Sequence, residues 1–98
     1  MAERTIQVEL LSEASNSTII KLPWRDFPGS VVQGDSLSIL LSLARDVRDR
    51  ARRTADSGLV EAAQDLHDLL QGRLLHYQSI LQASGWRLPY GDPIREDA

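Results

Sequence analysis

The sequence predicts an α+β domain: a three-stranded antiparallel sheet (β-β-β) followed by two α-helices, the second long. Three observations predict it. Apolar and polar side chains alternate in the first third of the chain, the period of a half-buried strand. From residue 36 the apolar spacing changes to three and four, the period of a helix with one buried face. Gly and Pro punctuate the boundaries between these runs. With 98 residues the chain falls at the lower edge of the roughly 100–200 residues of one domain. We expect a single domain over residues 1–90 and a flexible tail over 91–98.

The first strand is expected over about residues 5–11. Ile6, Val8 and Leu10 fall on one face, and Thr5, Gln7 and Glu9 on the other. The polar segment Ser12–Ser17 reads as a turn, and Thr18-Ile19-Ile20-Lys21-Leu22 as a second strand stopped by Pro23. Residues 23–29 carry two prolines and form a loop. Ser30-Val31-Val32-Gln33 reads as a third strand, over 30–33.

Asp35 or Ser36 is placed to cap a first helix over about residues 36–54. Its stripe is Leu37, Leu40, Leu41, Ala44, Val47 and Ala51. Asp46 stands four residues before Arg50, and Asp49 four before Arg53, spacings that pair on a helix surface. Asp56 or Ser57 caps a second helix over about 58–84, with Gly85 past its end. Its stripe is Leu59, Ala63, Leu66, Leu70, Leu74, Tyr77, Leu81 and Ser84, broadened by Val60, Ala62, Leu69 and Ile80. Mid-helix Gly72 weakens this helix or permits a close approach to a neighbour. So wide a stripe exceeds what a small sheet covers, and the excess is expected to meet another polypeptide.

Composition narrows the function classes. There is no Cys, which removes disulfide scaffolds, Cys-based metal sites and thiol nucleophiles. No apolar run reaches the length of a membrane span and the N-terminus lacks a signal-peptide core, so the expected location is cytoplasmic. The formal net charge of −3 does not favour nucleic acid. Yet Arg45, Arg48, Arg50, Arg52 and Arg53 form a locally basic strip. Its bland reading is a solvated helix face; its sharper reading is a binding strip for an acidic partner or a nucleic acid.

No catalytic set is evident. His67 and His76 stand nine residues apart and so point about 180° apart on one helix, as surface histidines would. No metal-ligand spacing occurs, and the serines lack a nucleophile-elbow motif. The carboxylate pairs Asp46/Asp49 and Asp65/Asp68 look like solvated helix faces. Gly29 and Gly34 precede a helix without the Lys or spacing of a phosphate loop. We therefore expect no cofactor and no enzyme. The candidate partner-binding residues are Arg45, Arg48 and Arg52 on the first helix, with the aromatics Trp24, Trp86 and Tyr90.

Residues Phe27-Pro28-Gly29-Ser30-Val31-Val32-Gln33-Gly34-Asp35-Ser36-Leu37, followed by Ala44-Arg45-Asp46-Val47, resemble the HicB antitoxin family over residues 5–50. That resemblance implies a β-β-β-α half-domain that dimerises and neutralises a small RNase toxin. The long second helix replaces the extra elements usual in that family, and no basic recognition helix is present. The whole chain also resembles a small bacterial family of unknown function with the same hairpin, a P-G-x-x-x-Q-G-D motif, two helices and an L-P-Y tail.

The leading expectation is thus a non-catalytic protein–protein interaction module of the antitoxin or immunity type. It would work as a homodimer and sequester a partner such as a toxin. The alternatives are a nucleic-acid-binding transcriptional regulator using the Arg strip, or a small ligand-binding protein with a pocket lined by Trp24, Trp86 and Tyr90.

Overall fold

The computed structural model describes residues 4–96. The fold is α+β, in the order β1 (Glu9–Ser12), β2 (Ile19–Lys21), β3 (Gly29–Ser30), α1 (Gly34–Ala51) and α2 (Ser57–Ser84). The chain divides into two compact units, Met1–Gln33 and Gly34–Ala98.

The first unit is an antiparallel meander in the order β1-β2-β3. Glu9 stands opposite Lys21 and Leu10 opposite Ile20, so charge faces charge and apolar faces apolar across the strands. Leu11 is then extruded in a bulge, and Ser12 pairs with Ile19. β1 begins at Glu9, not at residue 5, because Pro23 stops the partner strand just past Lys21. β3 covers Gly29–Ser30 instead of residues 30–33, because the three residues of β2 offer it only Ile20 and Ile19. One more ladder bond, from Val31 N–H to the Thr18 carbonyl at 2.9 Å, ends the pairing. No residue from 4 to 33 is buried. Ile6, Val8 and Leu10, the apolar side of the alternation, all remain exposed.

The second unit is an antiparallel helical hairpin. α1 starts at Gly34, two residues before the expected start, and the Asp35 carboxylate accepts the Ser36 N–H at 2.8 Å. It ends at Ala51, short of residue 54. There the chain tightens into i→i+3 bonds, and the Thr54 hydroxyl donates to the Ala51 carbonyl at 2.7 Å. Asp56 caps α2 by accepting the Leu59 N–H at 3.0 Å. Gly85 closes α2 in the left-handed region (φ 76°), and Trp86 N–H bonds back to the Leu81 carbonyl.

The core lies between the helices. Leu37, Leu41, Ala44 and Ala51 of α1 are buried with Ala63 and Leu74 of α2, and Leu70 and Tyr77 pack around Leu37, Leu41 and Leu74. The buried face of α2 is Ala63, His67, Gln71, Leu74 and Gln78. It is turned by roughly 60° from the expected leucine stripe, taking 3.6 residues per turn. Leu59, Leu66 and Leu69 are left exposed as a result. The tail also departs from expectation. Tyr90 and Ile94 pack on the core cluster, so ordered docking continues past residue 91. The last two residues of the expected flexible tail lie outside the described residues.

Two glycines of the hairpin have opposite roles. A Cβ at Gly34 would collide with the Tyr77 ring, so the start of α1 approaches α2 too closely for any side chain. A Cβ at Gly72 meets nothing within 4 Å, which removes close approach as its purpose. Gly34→Ala is expected to destabilise the protein by about 1–3 kcal/mol through overpacking. Gly72→Ala is expected to stabilise it by about 1 kcal/mol through helix propensity. Urea denaturation followed by circular dichroism measures both.

Candidate functional site

Three surfaces of the helical unit gather the residues with chemistry: a polar ring between the helices, a groove filled by the tail, and an apolar flank.

The ring joins both helices. Arg48 Nη1 donates to His67 Nε2 at 3.0 Å, and His67 Nδ1–H donates to Asp68 Oδ1 at 3.0 Å. Because a guanidinium only donates, His67 Nε2 must accept and the ring proton sits on Nδ1. Gln64 Nε2 reaches the same Asp68 oxygen at 2.9 Å, and Arg52 Nη2 donates to Gln64 Oε1 at 2.9 Å. Asp49 Oδ1 closes the circuit, 3.2 Å from Arg48 Nε and 3.8 Å from Arg52 Nη1. The hydrogen bonds from His67 and then Gln64 hold the Asp68 carboxyl below its usual range. His67 is only 2 % exposed, against the expected surface position; His76 is exposed, as expected. Both ring nitrogens of His67 are engaged, so it presents no free edge to a substrate.

Arg45 lies on the same side of α1 and is half-buried. Its Nε and Nη2 are buried without a hydrogen-bond partner. These two nitrogens are the side-on fork that suits a carboxylate, and burying a donor without its acceptor is costly.

The groove holds residues 88–96. Gln78 Nε2 donates to the Ile94 carbonyl at 3.1 Å. Gln78 Oε1 accepts the Ile94 N–H at 2.8 Å and the Tyr90 hydroxyl at 2.9 Å. Gln71 Nε2 donates to the Arg95 carbonyl at 3.1 Å. Burial, reinforced by Tyr77 nearby, pushes the Tyr90 phenol above its ordinary range.

The flank lies on the opposite side. Arg52 bonds Gln64, and Gln71 bonds the tail, on one side of the hairpin. Helical geometry puts the other flanks together: Leu40, Leu43 and Val47 on α1, and Leu59, Leu66 and Leu69 on α2. All six are exposed.

The first unit carries a cleft of about 580 Å³ lined by Ile20, Leu22, Trp24, Phe27, Pro28 and Val31 among others. Phe27 is 83 % exposed at its rim. Among the described residues, no group of three or more His, Cys, Asp or Glu is arranged to hold a metal ion, and no helix is long and apolar enough to cross a membrane.

The sequence-expected site residues therefore separate. Arg48 and Arg52 belong to the ring, Arg45 flanks it, and Tyr90 lies in the groove. Trp86 is exposed at the start of the tail. Trp24 belongs to the first unit. Arg50 leaves the strip to pair with Asp46 at 3.0 Å.

A model of a family of unknown function matches residues 3–90. The chain belongs to that family, DUF6959. No curated protein and no solved structure matches it. The DUF6959 match supports the likeness to a small family of unknown function; nothing in the comparisons supports the HicB-like resemblance.

For this DUF6959 chain, sequence reasoning missed His67, Gln71 and Gln78. Their spacing of four and seven is itself helical and could have marked a second, polar face. Two outcomes test the assignments. Arg48→Leu strands the buried His67 nitrogen and is expected to cost about 1–3 kcal/mol, whereas Arg45→Leu removes an unpaired donor and is expected to be neutral or stabilising. Equilibrium denaturation separates them. The raised Tyr90 pKa means that the docked tail is fully stabilised below the ordinary tyrosine pKa and loosens as pH rises through the folded value, where the phenolate can no longer donate to Gln78. Near-ultraviolet phenolate absorbance, compared with Tyr90→Phe, follows this step.

Proposed function

We propose that this protein is a non-catalytic protein-interaction module, a homodimer joined along the apolar flank of its helical hairpin, that sequesters a partner polypeptide. One observation carries the reading. Leu40, Leu43, Val47, Leu59, Leu66 and Leu69 form an exposed apolar strip that neither the tail nor the inter-helix core uses. The strip presents on the order of several hundred Å², the scale of the roughly 800 Å² that each partner contributes to a standard interface.

A second copy suits this strip better than an unrelated surface. On α1 the spacing is Leu40, Leu43, Val47; on α2 it is Leu59, Ala62, Leu66, Leu69. Steps of three and four are the seam spacing of a helical bundle. Each helix thus carries one seam toward its own hairpin partner and a second one facing out. Two hairpins related by a two-fold axis would cover both outer seams and form a four-helix bundle.

Several features support a binding role over a chemical one. The buried histidine has both nitrogens committed, and Arg48 and Arg52 of the Arg strip are taken up by the polar ring. The net charge of −3 suits a partner with a basic surface. A HicB-like antitoxin role is the finer form of this reading and rests on the motif at residues 27–37. It predicts that the product of an adjacent gene is toxic when expressed without this chain.

Light scattering coupled to size exclusion tests the dimer. The wild type is expected at twice the 10.9 kDa chain mass, and Leu43→Glu with Leu66→Glu is expected as a folded monomer. A wild type that stays monomeric at tens of micromolar ends the proposal.

A further inference from the structure

We propose that the groove between α1 and α2 is a receptor for a bent peptide segment, that residues 88–96 occupy it in cis, and that its ligand in trans is the same segment of a second copy. The juxtaposition is unusual for a helical core. Gln71 and Gln78 are buried on the inner face of α2, at 8 % and 7 % exposure, beside Leu74. Buried amides need partners. The tail offers them partners: its backbone to both, and the Tyr90 hydroxyl to Gln78.

The recognition is directed at main chain. Gln78 uses both ends of its amide on one residue, accepting the Ile94 N–H and donating to its carbonyl. This is the pairing that a neighbouring strand would offer. Gln71 repeats the donor half at Arg95. Two side chains anchor the segment: Tyr90, whose hydroxyl shares Gln78 Oε1, and Ile94, both packed on the cluster of Leu37, Leu41 and Leu74. The ligand class follows: a segment that turns between a tyrosine and, four residues later, a branched aliphatic residue.

The cis occupant is held as a strap. It leaves α2 through Gly85 in the left-handed region and bends again at Gly91 (φ 85°). Of residues 86–96, only Leu88, Tyr90 and Ile94 escape full exposure. So few buried contacts make the segment one of the cheapest parts of the unit to open. Opening leaves two amides and an apolar cluster ready for a replacement of the same chemistry. Every other copy of the chain carries that replacement, which makes the second copy its occupant. This does not rest on the flank contact described above, which lies on the other side of the hairpin.

Two measurements test it. The first titrates a fluorescent peptide of residues 86–96 into full-length protein, read by anisotropy. Tyr90→Ala with Ile94→Ala removes both anchoring side chains and weakens the hold of the cis segment, and this emptied variant is expected to bind the peptide saturably. The wild type is expected to bind at least tenfold more weakly, because its own tail competes. Adding Gln78→Leu to the emptied variant is expected to abolish binding. Circular dichroism checks that each variant is folded. No saturable binding to a folded, emptied variant overturns the receptor, as does equal binding after Gln78→Leu.

The second mixes two full-length variants of this cysteine-free chain, Gln71→Cys and a tagged Arg95→Cys, under mild oxidation. A disulfide-linked heterodimer that excess peptide suppresses is expected. No more heterodimer than a Ser79→Cys control gives overturns the exchange between copies. Repeating both measurements in the Leu43→Glu, Leu66→Glu background keeps the fate of this proposal separate from that of the flank dimer.

Discussion

The structure of the helical unit depends on which face of α2 turns inward. A helix as rich in leucine as this one has several apolar rows to offer, and only one can meet α1. The row that does so carries His67, Gln71 and Gln78 among its buried positions. Burying such groups is costly unless each finds a partner. Each does: Arg48 and Asp68 for the histidine, the tail backbone for the two glutamines. The ring and the strap are therefore consequences of one choice of face, as is the exposure of the leucines displaced from it.

That choice links packing to the proposed roles. A purely apolar seam would have been satisfied by the two helices alone, leaving the tail idle. A seam with glutamines needs a third strand of backbone, and the segment around Ile94 supplies it. The same rotation puts Leu59, Leu66 and Leu69 outside, beside Leu40, Leu43 and Val47. Apolar area of this kind is stabilised only by further burial, which points toward association with another chain. The first unit makes a parallel demand: its three short strands contain no buried residue, and a sheet of that size needs a covered face to persist.

The arginines show how local pattern and tertiary use diverge. Read along α1, Arg45, Arg48 and Arg52 look like a continuous strip facing a partner. In the hairpin, two of them are members of an internal circuit with Asp49, Gln64, His67 and Asp68, while Arg45 keeps its fork unpaired. A guanidinium held in that state lowers stability where it stands. It is therefore the arginine of the three whose presence the internal packing does not account for.

Much of the fold was legible in residue order. Period-two alternation, the prolines at 23 and 28, the Asp56 cap and the Gly85 stop act through bonds within a few residues, so the sequence by itself determined the element order, the sheet–helix division and both ends of α2. The lengths of β1 and β3 were not legible, because a strand extends only as far as its neighbour does, and Pro23 truncates that neighbour. The inward face of α2, the burial of His67 and the docking of Tyr90 and Ile94 were decided by tertiary structure alone. Each depends on groups far apart in sequence meeting at once: a leucine row and a glutamine row are both helical, and only the partners brought by α1 and the tail make the polar one the more favourable to bury.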